Sequence, residues 1–200
     1  MLPSMMTDRL SVEHMAAGHA VPLLDCLRRN QRHLAPWDPP HPAGSDSPEY
    51  WESQCARAVE EFADGRVARW LLFERDDPAR IVGRINYTQI ARGPFQSCML
   101  GYAIDAQLQG QGLMHEALAA TIAYAFDALR LHRIQANYVP DNVRSGRLLR
   151  RLGFRKEGLA TKYLYINGAW RDHVLTALIN PGFDDSVFSR GNPPTPSAAG

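Results

Sequence analysis

The chain has 200 residues, and its 22 Lys and Arg stand against 21 Asp and Glu for a net charge of +1. That length suits one domain with tails and is enough to bury a core, and the balanced charge gives no general argument for a nucleic-acid or membrane-surface protein. No apolar run reaches the length of a membrane span, and the start MLPSMMTDRL lacks the apolar centre of a secretory signal, so the expected location is the cytoplasm.

Hydrophobic periodicity orders the elements. A short strand is predicted near Arg9–Met15 and a helix over about Ala17–Arg29. The Pro-rich loop HLAPWDPPHPAGSDSP leads to a second helix, about Glu49–Gly65. VARWLLFER and IVGRINYTQI read as strands, and SCMLGYAID alternates, with Cys98, Leu100, Tyr102 and Ile104 facing one way. The loop QLQGQGLM follows, then a helix from about Gly112 to Arg130 with Leu113, Ala117, Ala120 and Tyr124 in one apolar stripe. RIQANYV is a strand. Asn142 stands where a helix N-cap belongs, and VRSGRLLRRL ends at Gly153, a C′ glycine with Phe154 packing back. TKYLYI and AWRDHVLTALI are joined by Asn167-Gly168, the signature of a tight hairpin. The expected fold class is α/β (α+β): a mixed central sheet of about seven strands with helices on both faces. One domain is expected over residues 9–181, with a flexible start (1–8) and a disordered Pro/Ser-rich tail (182–200). Cys26, Cys55 and Cys98 are far apart, with no CxxC and no Cys/His cluster, so free buried thiols are expected and neither a disulfide framework nor a metal site.

Gly110 and Gly112 sit between a strand and a helix. A dinucleotide fingerprint would need a third glycine where His115 stands, and a P-loop would need Gly-Lys-Ser/Thr, which is missing. What remains is a loop whose bare backbone lets an anion reach the free N–H groups of a turn and a helix N-terminus, beside the positive end of the helix dipole. A tight strand-to-helix turn with no ligand is the other reading, and the local pattern leaves both open.

QGQGLM after an alternating strand and before an amphipathic helix resembles the pyrophosphate loop of the GNAT N-acetyltransferases, Gln/Arg-x-x-Gly-x-Gly/Ala, with Gln107 at its first position. NVRSGRLLRRLGF resembles that family's helix after the fifth strand. NQRHLAPWDPP, LGYAID, HRIQANYVPDN, RSGRLLRRLGFRKEG and YINGAWRDHVLTAL are similar to the branch of ribosomal-protein-alanine N-acetyltransferases. The resemblance spans about Arg9–Pro181 and implies the GNAT fold, with a splay between the fourth and fifth strands. It implies acetyl-CoA as donor, an amine as acceptor and no metal. By the same resemblance, the backbone of Gln109, Gly110, Gln111, Gly112, Leu113 and Met114 would cradle the pyrophosphate. Tyr102, Ala103 and Ile104 would line one side of the splay for the pantetheine arm, and Asn137–Val139 the other. Asn142 would hydrogen-bond the pantetheine while capping its helix. Trp37 and Asn137 are the residues expected to meet the acceptor.

The implied reaction needs a neutral amine. A free α-amine has a pKa of about 7.7–8.0 and lysine about 10.4, so near pH 7 roughly a tenth of the former is neutral and well under a thousandth of the latter. A protein N-terminus therefore demands less base catalysis than a lysine. A backbone N–H near Ile104 would stabilise the oxyanion. Many family members place a general-acid Tyr seven residues after the Asn, where this chain has Leu149. Ser145, three after the Asn, is the alternative of the ribosomal-protein branch, donating a hydrogen bond or relaying a proton to the thiolate. A helix-start serine satisfying backbone is the plainer reading of it. Glu157 and Asp172 are candidates for a general base, beside an ordered water. Arg144, Arg147, Arg150 and Arg151 cluster on one helix, as a solvated face or as partners of the 3′-phosphate or of ribosomal RNA. The expected partner is the N-terminus of a ribosomal protein, with the ribosome or its RNA as a transient contact. A small-amine acetyltransferase and a coenzyme A-binding module without turnover are the alternatives.

Overall fold

In the computed structural model, which describes residues 2–188, every strand among the described residues joins a single sheet. In chain order the elements are β1 (Ser4–Met6), β2 (Leu10–His14), α1 (Ala20–Leu34), α2 (Pro48–Ala63), β3 (Ala68–Glu74), β4 (Asp77–Ala91) and β5 (Ser97–Ile104). Then come α3 (Leu113–Asp127), β6 (Arg133–Gln135), α4 (Val143–Arg151), β7 (Arg155–Ile166) and β8 (Ala169–Ile179). The strand order is β1-β2-β3-β4-β5-β6-β8-β7. Neighbours are antiparallel except β5 and β6, which are parallel because α3 carries the chain back across the sheet.

β3 shows why helices cover both faces. Its run Trp70-Leu71-Leu72-Phe73 is buried throughout. Successive strand side chains point to opposite faces, so Trp70 and Leu72 join the core under α3, with Leu113, Ala117, Leu118 and Ile122. Leu71 and Phe73 join the core under α1 and α2, with Leu23, Leu24, Cys55 and Ala58. The mixed sheet with two helical layers is as expected.

The termini differ from expectation. Ser4–Met6, within the start expected to be flexible, form an edge strand with Met5 opposite Val12. The Thr7 hydroxyl beyond it donates to Glu116 at 2.6 Å. Three residues are too few to show a period, which is why the sheet has eight strands rather than seven. Of the tail expected to be disordered, residues 182–188 include a 3-10 turn, Asp185–Phe188, and the Phe183 ring lies 5.2 Å from that of His132. The remainder of that tail lies outside the described residues. β7 also starts earlier than expected, at Arg155, because its first half is an exposed, polar stretch with irregular register and no apolar alternation.

Short-range signals hold. Asn142 caps α4, its Oδ1 accepting from the Ser145 N–H at 3.1 Å. At the other end Gly153 has φ +91°, its N–H donates to Arg150 O and the Phe154 N–H donates to Leu149 O at 3.0 Å, the reciprocal pair of a Schellman motif. Asn167 and Gly168 both have positive φ in the β7–β8 hairpin.

The splay is a matter of register. β5 and β6 pair only from Ser97 to Met99 against Arg133 to Gln135. Beyond Met99, β5 continues to Ile104 with a ladder partner on its β4 side alone. β6 ends at Gln135, but the chain stays beside β8, which β6 already pairs: the Ala136 N–H donates to Thr176 O, and Tyr138 and Val174 exchange both backbone bonds. The gap expected between the fourth and fifth strands is thus the one between β5 and β6.

Candidate active site

The loop between β5 and α3 is anchored before it reaches its glycines. Asp105, 2% exposed, accepts hydrogen bonds from Gln107 N–H at 3.1 Å, Arg29 Nε at 3.0 Å and Arg80 Nη2 at 3.1 Å. Burial works against its charge, but the Gln107 N–H and the two guanidiniums outweigh it and hold the carboxyl below the usual carboxylate range. Asn30 of α1 adds a bond from the Ala106 N–H to its Oδ1 at 2.9 Å. The loop therefore starts from a fixed point.

Gly110 and Gly112 then take φ of +78° and +84°, and Gly112 is the N-cap of α3. Left-handed backbone costs L-residues with a Cβ roughly 1–2 kcal/mol, so glycine is required by conformation and not by space, since a Cβ on Gly110 would meet nothing within 4 Å. Among the described residues, no main-chain N–H from Gln109 through His115 donates a hydrogen bond to the protein. These donors are backed by the positive end of α3. Such a row of donors is an anion site in waiting.

The carboxylate of Glu116, in the first turn of α3, would oppose an anion there. It is neutralised. Its Oε1 accepts from the Thr7 hydroxyl at 2.6 Å and the Arg9 N–H at 2.8 Å, and its Oε2 from Arg9 Nε at 2.8 Å. Arg9 Nη1 reaches on to the Gln111 carbonyl at 2.9 Å. Burial alone would raise the Glu116 pKa, but the bonds from Thr7 and Arg9 bring it below its usual value. The turn after β1 is thereby tied to the glycine loop. On the other flank, the Gln109 side chain meets His33 Nε2 at 2.6 Å and accepts from Arg144 of α4.

These residues wall a cleft of about 1080 Å³. The glycine loop and the start of α3 form one wall, and α4 forms the other with Arg144, Arg147, Arg150 and Arg151. The open end of β5 supplies Tyr102, Ala103 and Ile104. Across the splay, the Tyr102 hydroxyl lies 2.8 Å from Ser145 Oγ. Burial pushes the Tyr102 hydroxyl up to about 12, and its bond to Ser145 only partly offsets that. The Tyr138 ring packs so tightly on α4 that a Cβ on Gly146 would sit 2.7 Å from its hydroxyl oxygen.

Of the residues singled out by sequence, Trp37, Tyr102, Ala103, Ile104, Gln109 to Met114, Asn142 and Ser145 all line this one cleft. The arginines of α4 line it too, rather than forming a purely solvated face. Asn137 does not line it. Its side chain reaches the β7–β8 side, where its Nδ2 donates to the Tyr163 hydroxyl at 3.1 Å and its Oδ1 accepts from the Thr176 N–H. Glu157 and Asp172 lie outside the cleft as well, the first paired with Arg133 and the second accepting from Lys162 N–H. Leu149 is core, 1% exposed. The Tyr102–Ser145 contact and the Arg9–Glu116 pair join residues too far apart in the chain for any spacing rule to find them.

A second cleft, about 760 Å³, opens between α1, the Pro-rich loop and the tip of the β7–β8 hairpin. It shares Leu34 and Asp38 with the first. Among the described residues no cluster of His, Cys, Asp and Glu could hold a metal, and no helix is long and apolar enough to cross a membrane. Cys26, Cys55 and Cys98 are buried free thiols, and burial pushes Cys98 up to about 12.

Residues 9–155 match the family model described as an acetyltransferase (GNAT) domain. The chain is 44% identical over 175 residues to the ribosomal protein uS5-alanine N-acetyltransferase of Escherichia coli (strain K12), covering 88% of this chain and 90% of that one. Among solved structures, the ribosomal-protein-S5-alanine acetyltransferase of Vibrio fischeri superposes with a TM-score of 0.87 at 37% identity, over 91% of this chain and 99% of the other. RimJ of Mycobacterium smegmatis, solved in complex with CoA-disulfide, superposes with a TM-score of 0.80 at 29% identity, over 90% of this chain and 87% of the other.

Proposed function

The chain belongs to the GNAT acetyltransferase family, and from that premise we propose that it transfers acetyl from acetyl-CoA to the N-terminal α-amine of a protein in the cytoplasm. The favoured acceptor is the N-terminal alanine of a small-subunit ribosomal protein. The observation that carries the donor half is the unpaired row of main-chain N–H groups from Gln109 to His115 at the mouth of α3. A diphosphate is the anion such a row suits, and it needs no lysine. The acceptor half rests on the likeness along the chain to the uS5-alanine enzymes.

The residues divide the work as follows. The glycine-loop amides hold the diphosphate, and Arg144, Arg147, Arg150 and Arg151 meet the 3′-phosphate end of the coenzyme. The pantetheine arm lies in the splay along Tyr102–Ile104, with the Asn142 amide as a further donor while its Oδ1 stays in the cap. The acetyl carbonyl then faces a β5 main-chain N–H near Ile104. Attack by the neutral amine forms the C–N bond and places the negative charge on the carbonyl oxygen, where that donor is worth about 10²–10³ in rate. Collapse breaks the C–S bond, and the electron pair leaves on sulfur. Ser145 donates its proton to the thiolate and recovers one through Tyr102, 2.8 Å away. The amide nitrogen loses its extra proton to solvent, so one proton leaves nitrogen and one reaches sulfur.

A panel of N-terminal peptides differing in the first residues, incubated with acetyl-CoA and read by mass, tests the reading. A gain of one acetyl on the α-amine of alanine-initial peptides is expected. Acetylation confined to polyamines or aminoglycosides would transfer the reading to a small-amine enzyme, and tight coenzyme A binding with no acceptor at all would make the chain a binding module.

A further inference from the structure

Two clefts meet at Leu34 and Asp38. The first holds the donor in the reading above. The second runs between α1 and the hairpin tip and leads to the same point from the opposite side. Asp38 is the titratable residue common to both. Its carboxylate is held by Arg84 of β4 through Oδ2, and its Oδ1 accepts no hydrogen bond among the described residues. Trp37, its neighbour in the chain, lines the donor cleft too, and an aromatic ring and a carboxylate with a free oxygen are both groups that attract an ammonium. His41, three residues on, lines the second cleft, its ring 5.9 Å from that of Trp51. Neither ring nitrogen of His41 is hydrogen-bonded among the described residues.

The other titratable groups along the two clefts include Asp46 and Tyr165 on the second and the four arginines of α4 on the first. His33 Nε2 is taken by Gln109, and Asp141 is paired with Arg171 at 3.3 Å. His115 sits in the first turn of α3, on the diphosphate side. Arg28 of α1 donates to the Asp46 carbonyl at the far wall of the second cleft.

Resting on the proposed acetyl transfer to an α-amine, we propose that Asp38 and His41 form the acceptor's receiving site, Asp38 binding the incoming α-ammonium through Oδ1 and His41 taking its proton. One N–H bond of the ammonium breaks, its electron pair stays on the amine nitrogen, and the proton joins the imidazole. His41 is only partly shielded and passes the proton to solvent along its open side. The neutral amine then crosses the junction at Leu34 to the thioester. A bare carboxylate would hold the proton on the amine. Arg84, paired with Oδ2, opposes that field, so the carboxylate orients the amine while holding its proton less firmly. Burial first, then the charge of Arg84, lower the His41 pKa, with Asp38 opposing, so the imidazole is neutral and able to accept at pH 7.

The test uses the full chain, a short alanine-initial peptide and its N-acetylated form. With coenzyme A bound, calorimetry on the native chain should show at least a tenfold preference for the free amine, and Asp38→Asn should abolish that preference while Asp38→Glu retains part of it. In steady state, Asp38→Asn should raise the peptide KM roughly tenfold with the acetyl-CoA KM unchanged. His41→Gln should lower kcat/KM for the peptide at least tenfold at pH 7, within the usual range for a lost general base. That deficit should close towards pH 9, where the α-amine, with a pKa of about 7.7–8.0, is already neutral. A pH-independent deficit in His41→Gln, or unchanged discrimination in Asp38→Asn, would overturn the proposal. Discrimination by a native chain that acetylates no peptide would support the receiving site and sink the acetyl-transfer reading instead.

Discussion

Gly110→Val separates the conformational role of the loop from its packing. At φ +78° a β-branched residue is strained by at least the ~1–2 kcal/mol of left-handed backbone. No neighbour lies within 4 Å of the added Cβ, so the strain is relieved by turning the peptide and not by moving the core. Turning it misaims the adjacent N–H groups. Each hydrogen bond to a charged group is worth about 1.5–3 kcal/mol, so losing one or two weakens coenzyme A binding by about 1.5–6 kcal/mol, or roughly 10-fold to 10⁴-fold. Because the loop is exposed and Asp105 still anchors its start, the melting temperature should fall by only a few degrees. Calorimetric titration with coenzyme A, beside acetyl-pantetheine, which carries no phosphate, reads the effect. The loss should appear with the first ligand and not the second. A coenzyme A Kd within twofold of the native value would refute the reasoning, since the diphosphate would then be held elsewhere.

Ser145→Ala should lower single-turnover acetyl transfer about tenfold or more while leaving the acetyl-CoA Kd within twofold, because the cap of α4 uses the Ser145 N–H, which alanine retains. Unchanged turnover would remove the hydroxyl from the mechanism. Arg9→Met should leave Glu116 uncompensated beside the diphosphate and raise the acetyl-CoA KM about tenfold, with Arg9→Lys recovering part of it; an equal loss in both variants, or none, would count against that coupling. His14 is 3% exposed, and burial first, opposed in part by the Met15 backbone and aided by repulsion from His19 and Arg69, lowers its pKa below 6.5. Below pH 6.5 the unfolded chain therefore binds a proton that the folded chain resists, and stability present above that pH is lost as pH falls through the folded value. Melting temperatures from pH 7.5 to 5.5 should fall in the native chain and fall less steeply in His14→Phe, and parallel slopes would acquit His14.

What was legible in the sequence is short in range. The glycine loop, the Asn142 cap, the Gly153-Phe154 terminus and the Asn167-Gly168 hairpin are each decided within a few residues by φ, by unpaired helix-end groups and by side-chain period. The cleft residues they carry accordingly lie where the pattern puts them. Asn137 lies outside the cleft although RIQANYV does run beside β8 as far as Tyr138, because its side chain bonds the Tyr163 hydroxyl and the Thr176 N–H instead. β1 was lost because three residues carry no period. The Tyr102–Ser145 contact and the Arg9–Glu116 pair depend on how β5, α4, β2 and α3 are stacked. So does the meeting of the two clefts at Asp38. No local rule reaches across such separations.

The central claim is that main-chain amides at the mouth of α3 grip the diphosphate and so lay the thioester in the gap between β5 and β6. A crystal structure of the chain with coenzyme A tests it directly. The account predicts diphosphate oxygens within hydrogen-bond distance of N–H groups between Gln109 and His115, with the coenzyme sulfur close to Ser145 Oγ. Coenzyme bound with that helix entrance free of phosphate, or with its sulfur far from Ser145, would contradict it.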